Sequence, residues 1–566
     1  MESFDKVYGG LNIEQKTAVD TIYGPVLVIA GPGTGKTQLL SARVANILRQ
    51  TDTSPSNILC LTFTENGAEN MRERLASFIG AKAAYEVEIS TYHGFGNSLL
   101  SQGRDFIDDE RTSIDELQQF QIIQKIKQNL PSTNLLYPSK NTVKSILNVI
   151  NDIKQENISP EIFEKIVKQN IKLIKKSEKY LKSLDALVGV KQSKNESGTK
   201  KSAKDQKIEA FFELYKNLKD ADEARAQKNT PTFLEKIYTS FEEQSIKYDN
   251  DPKKSIQHFT RDWQNKYFSK NDSDEYKFSD EFASRKALDI AEVYYLYESE
   301  LKLSTQQDFN DMILRAINLL EAKPDFKFSM QEKYQFILLD EYQDTNGAQS
   351  RIVELLTKNE LLPDLIPNVL AVGDDDQAIM AFQGAKFSNM QDFANFYGDE
   401  TKIINLTKNY RSHQKILDFA HNIADQIDGR LSNIFSNLDK QIYQENNSIT
   451  DIEIWRKSFK HQSTEFNEVA EKINTLINSG VQPSDIAILA PKHSILEEIA
   501  KYLNHLDIPI DYEKSENILE EAPVQQVIEM LKLAQDISEG SYNQNAGWAR
   551  VLSFDFWQLK PLDIYK

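Results

Sequence analysis

The 566-residue chain has a single cysteine, Cys60, which excludes a disulfide or a cysteine-rich metal site within it. Its seven histidines show no metal-ligand spacing. Apolar runs of the about 18 residues needed to span a bilayer are missing. The N-terminal MESFDKVYGG lacks the basic and apolar regions of a signal peptide. A cytoplasmic location is expected by default. Positive charge is also scarce, with 67 Lys and Arg against 85 Asp and Glu and a formal net charge of -18. That balance argues against a uniformly nucleic-acid-binding surface, because phosphate contacts need local cations to displace counterions. The charge is unevenly spread, however: residues 165–207 hold thirteen Lys against four acids. Such a segment is either a face for a polyanion or a solvated lysine loop.

What is present begins with the apolar run Val26-Leu27-Val28-Ile29 feeding Ala30-Gly31-Pro32-Gly33-Thr34-Gly35-Lys36-Thr37, with Gln38 just beyond. A strand entering a glycine-rich turn that opens a helix exposes successive backbone N–H groups to phosphates. Lys36 is expected to reach the terminal phosphates and Thr37 to ligate Mg2+. Much later, Phe336–Leu339 ends in Asp340-Glu341. Asp340 is the expected magnesium carboxylate, and Glu341 the group that polarises attacking water. Two ordinary carboxylates opening a helix are the plainer alternative. ATP binding and hydrolysis with Mg2+ is the chemistry these residues suit.

With 40% hydrophobic and 27% charged residues, the chain reads as globular and is long enough for about three or four structural units. Strands are expected at Val26–Ala30, Ile58–Phe63 and Glu88–Thr91, with helices over Lys36–Arg49 and Glu65–Phe78. This alternation predicts an α/β fold with a parallel sheet. Residues 1–106 form the first part of one ATPase lobe, 107–285 an inserted all-helical domain, and 286–401 the second part of that lobe. Strands at Tyr334–Leu339 and Asn368–Val372 complete its sheet. Residues 402–521 are expected to form a second, incomplete lobe with strands at Ile403–Leu406, Ile452–Trp455 and Asp485–Leu489. Residues 522–566 begin a second helical accessory domain. Ser193–Lys207 reads as an exposed lysine-rich loop.

Further blocks follow in order: Leu11-Asn12-x-x-Gln15, Thr62-Phe63-Thr64, Ser90-Thr91-Tyr92-His93-Gly94-Phe95, Asp308-Phe309-Asn310-Asp311, Asp340-Glu341-Tyr342-Gln343-Asp344, Gly373-Asp374-Asp375-Asp376-Gln377 and Asn409-Tyr410-Arg411-Ser412. The series resembles the UvrD/Rep/PcrA-like DNA helicases of superfamily 1. The resemblance implies RecA-like P-loop lobes and an ATP-dependent 3′→5′ helicase or translocase on single-stranded DNA and duplex junctions, in a DNA-repair setting with unidentified repair partners. By the same resemblance Gln15 reads the adenine edge and Tyr410 stacks on its ring. Arg411, from the second lobe, touches the γ-phosphate, and Gln377 links phosphate to DNA. Phe63, Thr64, Tyr92, His93 and Phe382 match positions that hold single-stranded DNA, where stacking suits a motor indifferent to sequence.

Departures from the family pattern are Glu65-Asn66-Gly67-Ala68, where relatives have an amide and a cation, together with Met380 and Gln383. The two late blocks of the second lobe, one carrying an arginine finger, are not found after Ser412. An N-terminal portion of a longer protein is therefore expected. Two competitors follow: an ATP-gated DNA-binding module that depends on a partner or a missing C-terminus, and a metabolic P-loop kinase. RNA in place of DNA stays open on residues alone.

Overall fold

The computed structural model describes the chain except residues 1–3, 108–109, 138–142, 182–192, 195–199, 202, 224–231, 251–262, 271–275, 280, 363, 381–387, 428–429, 436–437, 447–451, 513–520, 539–544, 561–563 and 565–566. It forms two compact units, Met1–Ile452 and Glu453–Lys566.

The first unit is built on six strands: β1 (Val26–Ala30), β2 (Ile58–Thr62), β3 (Glu88–Thr91), β4 (Phe336–Leu339), β5 (Asn368–Gly373) and β6 (Lys402–Leu406). Their order is β6-β1-β5-β4-β2-β3, and every pairing is parallel. A parallel sheet needs cover on both faces, so its central strands read as continuous apolar runs. All residues of β1, β2 and β4 are buried accordingly. Alternate side chains feed two cores: Leu27, Ile29, Leu59 and Leu61 on one face, Val26, Val28, Ile58 and Cys60 on the other. The fold is α/β, as the strand pattern implied, and RecA-like, as the resemblance implied.

Local chemistry fixes where helices start at the C-terminal ends of these strands. Thr64 accepts from Gly67 N–H and caps helix Glu65–Ile79, while Thr91 accepts from Gly94 N–H and caps Tyr92–Gln102. Gly35 caps helix Lys36–Gln50 in the left-handed conformation, at φ 86°.

Three expectations need correction. Lys402–Leu406 does not open a second sheet; it pairs with β1 along its whole length, with Ile404 and Leu406 buried in the first unit's core. The edge of β1 opposite β5 was unfilled by any earlier strand, and β6 satisfies its backbone groups. Helix Glu281–Leu303 belongs with the inserted helices rather than with the lobe. Its Val293, Tyr294, Tyr297 and Leu301 share a core with Ile123, Ile146 and Ile150. The insertion is also not purely helical: Phe268–Lys270 pairs with Tyr276–Phe278, and Ser193–Lys194 with Lys200–Lys201, both antiparallel. That second pairing falls within the expected lysine loop, most of whose remaining residues lie outside the described residues. Lys165, Lys168, Lys172, Lys175 and Lys176 are exposed on helix Pro160–Ser177.

A buried ionic hub joins the insertion to the lobe. Lys154, fully buried, lies 2.6 Å from Asp308, 2.7 Å from Asp311 and 2.5 Å from Glu298. Asp308 and Asp311 are the two ends of the capping box on helix Phe309–Ala322. Burial pushes the Glu298 carboxyl up to about 7, with Lys154 opposing.

In the second unit, helices Gln462–Asn478 and His493–His505 pack around Ala470, Ile473, Leu503 and Ile508. The expected strands at Ile452–Trp455 and Asp485–Leu489 are not formed among the described residues. The latter begins in a 3-10 turn, and Leu489 is 95% exposed. A strand needs a ladder partner, and an apolar run alone does not supply one.

Candidate nucleotide and nucleic-acid sites

The turn after β1 is shaped by its glycines. Gly33 has φ 72°, and a Cβ there would come within 2.7 Å of the Asn409 amide and 2.8 Å of Arg411 Cβ. A side chain at Gly35, φ 86°, would meet the Gln15 amide at 3.0 Å. Thr34 donates its hydroxyl to Gly31 O at 2.7 Å and tightens the turn. Gly33, Gly35, Lys36, Thr37 and Gln38 then line an open, polar cleft of about 650 Å³ with Glu341 and Arg411. Asn70, Glu73 and Arg74 of helix Glu65–Ile79 also line it, which no sequence pattern had singled out.

Glu341 stands at φ 46°, ψ 45°, a left-handed conformation that costs a residue with a Cβ about 1–2 kcal/mol. Its Oε2 receives two donors, Lys36 Nζ at 2.6 Å and Gln343 Nε2 at 2.8 Å. Asp340 anchors the strand end through its N–H to Leu61 O at 2.8 Å and accepts from Glu341 N–H at 3.0 Å. Burial, then the adjacent Glu341 charge, pushes the Asp340 carboxyl up to about 6. A buried carboxylate held in that way is favoured by a nearby cation. Thr37 at the helix start and Asp340 at the strand end are the two oxygen ligands a magnesium ion would take, and their hard-donor chemistry fits it.

Arg411 follows β6 within the same compact unit as Lys36, where Asn409 clasps the phosphate turn. Asn409 Nδ2 donates to Pro32 O at 2.5 Å, while its Oδ1 accepts from Arg411 N–H at 2.8 Å and Ser412 N–H at 2.7 Å. Tyr410 N–H donates to Gly33 O at 3.0 Å, and the Tyr410 ring stays 38% exposed. Asn409 itself had carried no assigned role.

Gln15 is 3% exposed with both ends of its amide engaged: Oε1 accepts from Asn12 N–H at 3.0 Å and Nε2 donates to Thr34 O at 2.8 Å. It completes a capping box and braces the phosphate turn. Each end of the amide keeps one further donor or acceptor position for an adenine edge.

Gln377 donates to Asp374 Oδ2 at 2.7 Å. The Asp374-Asp375-Asp376 cluster is a possible cation site, and two side chains that the sequence left unassigned fill it. Lys440 pairs with all three carboxylates at 2.8, 2.5 and 2.9 Å. Arg430 makes a bidentate pair with Asp376 at 2.8 and 2.7 Å. Although burial opposes it, these two cations hold the Asp376 carboxyl below its usual range.

A second cleft, of about 680 Å³, is lined by Phe63, Tyr92, His93, Phe309 and Asn310 together with Glu65, Asp115 and Glu116. Phe63 is half-buried and Thr64 exposed. His93 stacks on Phe309 with centroids 3.8 Å apart and planes 21° from parallel, and burial lowers its imidazole to about 4, so it is neutral. Phe309, 56% exposed, offers an aromatic face that had been quoted only as part of a block. Tyr92 departs from expectation: it is 1% exposed and sits in the core, so its ring is closed to a stacking base. Glu65 accepts from Thr91 Oγ1 at 2.8 Å, which turns it along the cleft wall. Phe382 and Gln383 lie outside the described residues.

The chain matches the family model of the UvrD/REP helicase N-terminal domain over residues 11–224 and 190–398, and that of the UvrD-like helicase C-terminal domain over 404–544. It belongs to the UvrD/Rep helicase family. Among its relatives, the ATP-dependent DNA helicase PcrA of Leuconostoc citreum is 24% identical over 555 residues, covering 97% of this chain and 55% of that protein. The protein of the same name from Staphylococcus aureus (strain Mu50 / ATCC 700699) is 28% identical over 413 residues, 73% of this chain and 40% of the relative. That from Staphylococcus epidermidis is 27% identical over 479 residues, 85% and 47% respectively. The chain spans about half the length of these curated relatives. No helix among the described residues is long and apolar enough to cross a membrane.

Proposed function

We propose that this chain is the ATP-binding portion of a DNA helicase that moves 3′→5′ along single-stranded DNA and separates duplex ahead of it. The observation that carries the proposal is the single cleft lined by Lys36, Thr37, Glu341 and Arg411 beside a glycine turn in left-handed conformation. Gly31, Gly33 and Gly35 offer backbone N–H groups, and Lys36 and Arg411 offer charge, to a triphosphate. Tyr410 presents its open ring to the adenine. Thr37 and Asp340 would hold Mg2+, which would supply charge neutralisation on the phosphates. Glu341 accepts a proton from the hydrolytic water once Lys36 leaves its carboxylate.

On the nucleic-acid side, Phe63, His93 and Phe309 offer stacking surfaces in a cleft whose walls carry Glu65, Asp115 and Glu116. Carboxylates there repel phosphates, so bases face this wall and the backbone runs along its outer edge. The exposure of Thr64 at its helix start supports contact along that edge, and Phe382 is assigned to DNA by its motif alone. Gln377 connects the two sites through Asp374.

The test is ATP turnover with and without single-stranded DNA, with Lys36→Ala as the control. Stimulation of about tenfold or more, abolished in the control, is the expected result. DNA-independent turnover would overturn the motor. Tight ATP and DNA binding without turnover would instead support a nucleotide-gated binding module.

A further inference from the structure

We propose that Gln343 is a positioning residue that ties the Glu341 carboxylate to the Asp374–Gln377 turn, so that occupancy of the phosphate cleft is felt at that turn. The inference rests on the nucleotide site proposed above. Gln343 is 2% exposed and spends both ends of its amide on functional neighbours. Nε2 donates to Glu341 Oε2 at 2.8 Å and to Asp344 Oδ2 at 3.2 Å, while Oε1 accepts from Asp374 N–H at 3.1 Å. Reversing the amide would set oxygen against carboxylates and NH2 against N–H, so only one orientation satisfies the site. Gly373 makes the approach possible, since a Cβ there would come within 2.5 Å of Gln343 Oε1. The Asp374 carboxylate continues the series, accepting from Gln377 at 2.7 Å and Lys440 at 2.8 Å.

The arrangement has two consequences. Glu341 Oε2 is now shared by Lys36 and Gln343; when Lys36 turns to a phosphate, Gln343 is the remaining side-chain donor on that oxygen among the described residues. It then aims the carboxylate. Conversely, a swing of Glu341 draws the amide off the Asp374 N–H, and a buried N–H has no water to take its place. Filling space would need only an apolar side chain of similar length, so chemistry and volume can be separated.

The test compares wild type with Gln343→Met, which keeps the volume without donor or acceptor, and Gln343→Glu, which keeps the acceptor but loses the donor. Hydrogen exchange is followed over residues 373–377 with and without a nonhydrolysable ATP analogue and Mg2+. In wild type the analogue is expected to change exchange at Asp374–Gln377 by up to about tenfold, the upper worth of one neutral hydrogen bond. Gln343→Met is expected to bind the analogue within about threefold of wild type yet show less than about a twofold exchange change. Gln343→Glu, which loses the donor to Glu341, is likewise expected to show less than about a twofold exchange change. If Gln343→Met fails to fold, Gln343→Glu carries the comparison. An equal exchange response in wild type and variant, or none in wild type with analogue bound, overturns the tie alone. Failure of wild type to bind the analogue overturns the nucleotide site and the tie together.

Discussion

Glu341→Gln separates gripping the nucleotide from cleaving it, and the structure sets the size of each effect. In the nucleotide-free arrangement Lys36 lies 2.6 Å from Glu341, with side chains 12% and 35% exposed. A triphosphate must take Lys36 from that partner. A pair this open to solvent is worth about 0.5–1 kcal/mol, which is a factor of about 2–5 in affinity. Glutamine keeps the shape and an acceptor for Gln343 and Lys36, but removes the charge that holds Lys36 and repels phosphate. The variant should therefore bind a nonhydrolysable ATP analogue about 2–5-fold more tightly, with the gain shrinking at high salt. Turnover should fall by about two to four orders of magnitude, since the proton acceptor is gone. Fluorescence titration of the analogue and single-turnover hydrolysis measure the two quantities separately. Weaker binding, or turnover within about twofold of wild type, would refute the reasoning.

Lys440→Met leaves Asp374 and Asp375, at 4% and 1% side-chain exposure, without their shared cation. Stability to urea should drop by about 3–5 kcal/mol at pH 7. Glu298 holds its proton in the folded state up to about pH 7, against 4.5 ordinarily. Folded protein thus binds more protons than unfolded chain between those values, and stability falls as pH rises through that window. Glu298→Gln should be more stable than wild type by about 1–3 kcal/mol at pH 8 and gain nothing below about pH 4.5, as read from denaturation across pH. Gly33→Ala puts a Cβ into Asn409 and Arg411 at a φ of 72°. Nucleotide affinity should fall by about tenfold or more while the melting temperature drops only a few degrees.

The phosphate turn, the strands before it and the Asp340-Glu341 pair were legible because each is written in consecutive residues: an apolar run, a glycine series, a helix start. The bounds of β1, β3 and β4's apolar core follow the sequence closely for that reason. The placement of β6 was not legible, since five residues of strand say nothing about which edge they will join. The ionic hubs were hidden for the same cause. Lys154 meets Asp308 across 154 residues and Lys440 meets Asp374 across 66, and neither lysine looks unusual locally. The burial of the Tyr92 ring was not legible, because an aromatic in a motif can face the core as easily as a ligand. Gln15 carried a local signal that went unused: Asn12-x-x-Gln15 has the spacing of a capping box, and the structure uses it as one.

Tyr410 and Arg411 follow shortly after a strand laddered to the one that feeds the phosphate turn, and the Tyr410 N–H bonds that turn directly, so Lys36 and Arg411 are carried by neighbouring strand ends of one sheet. A triphosphate arriving at that edge would redistribute its charge, beginning with the carboxylate that Lys36 gives up.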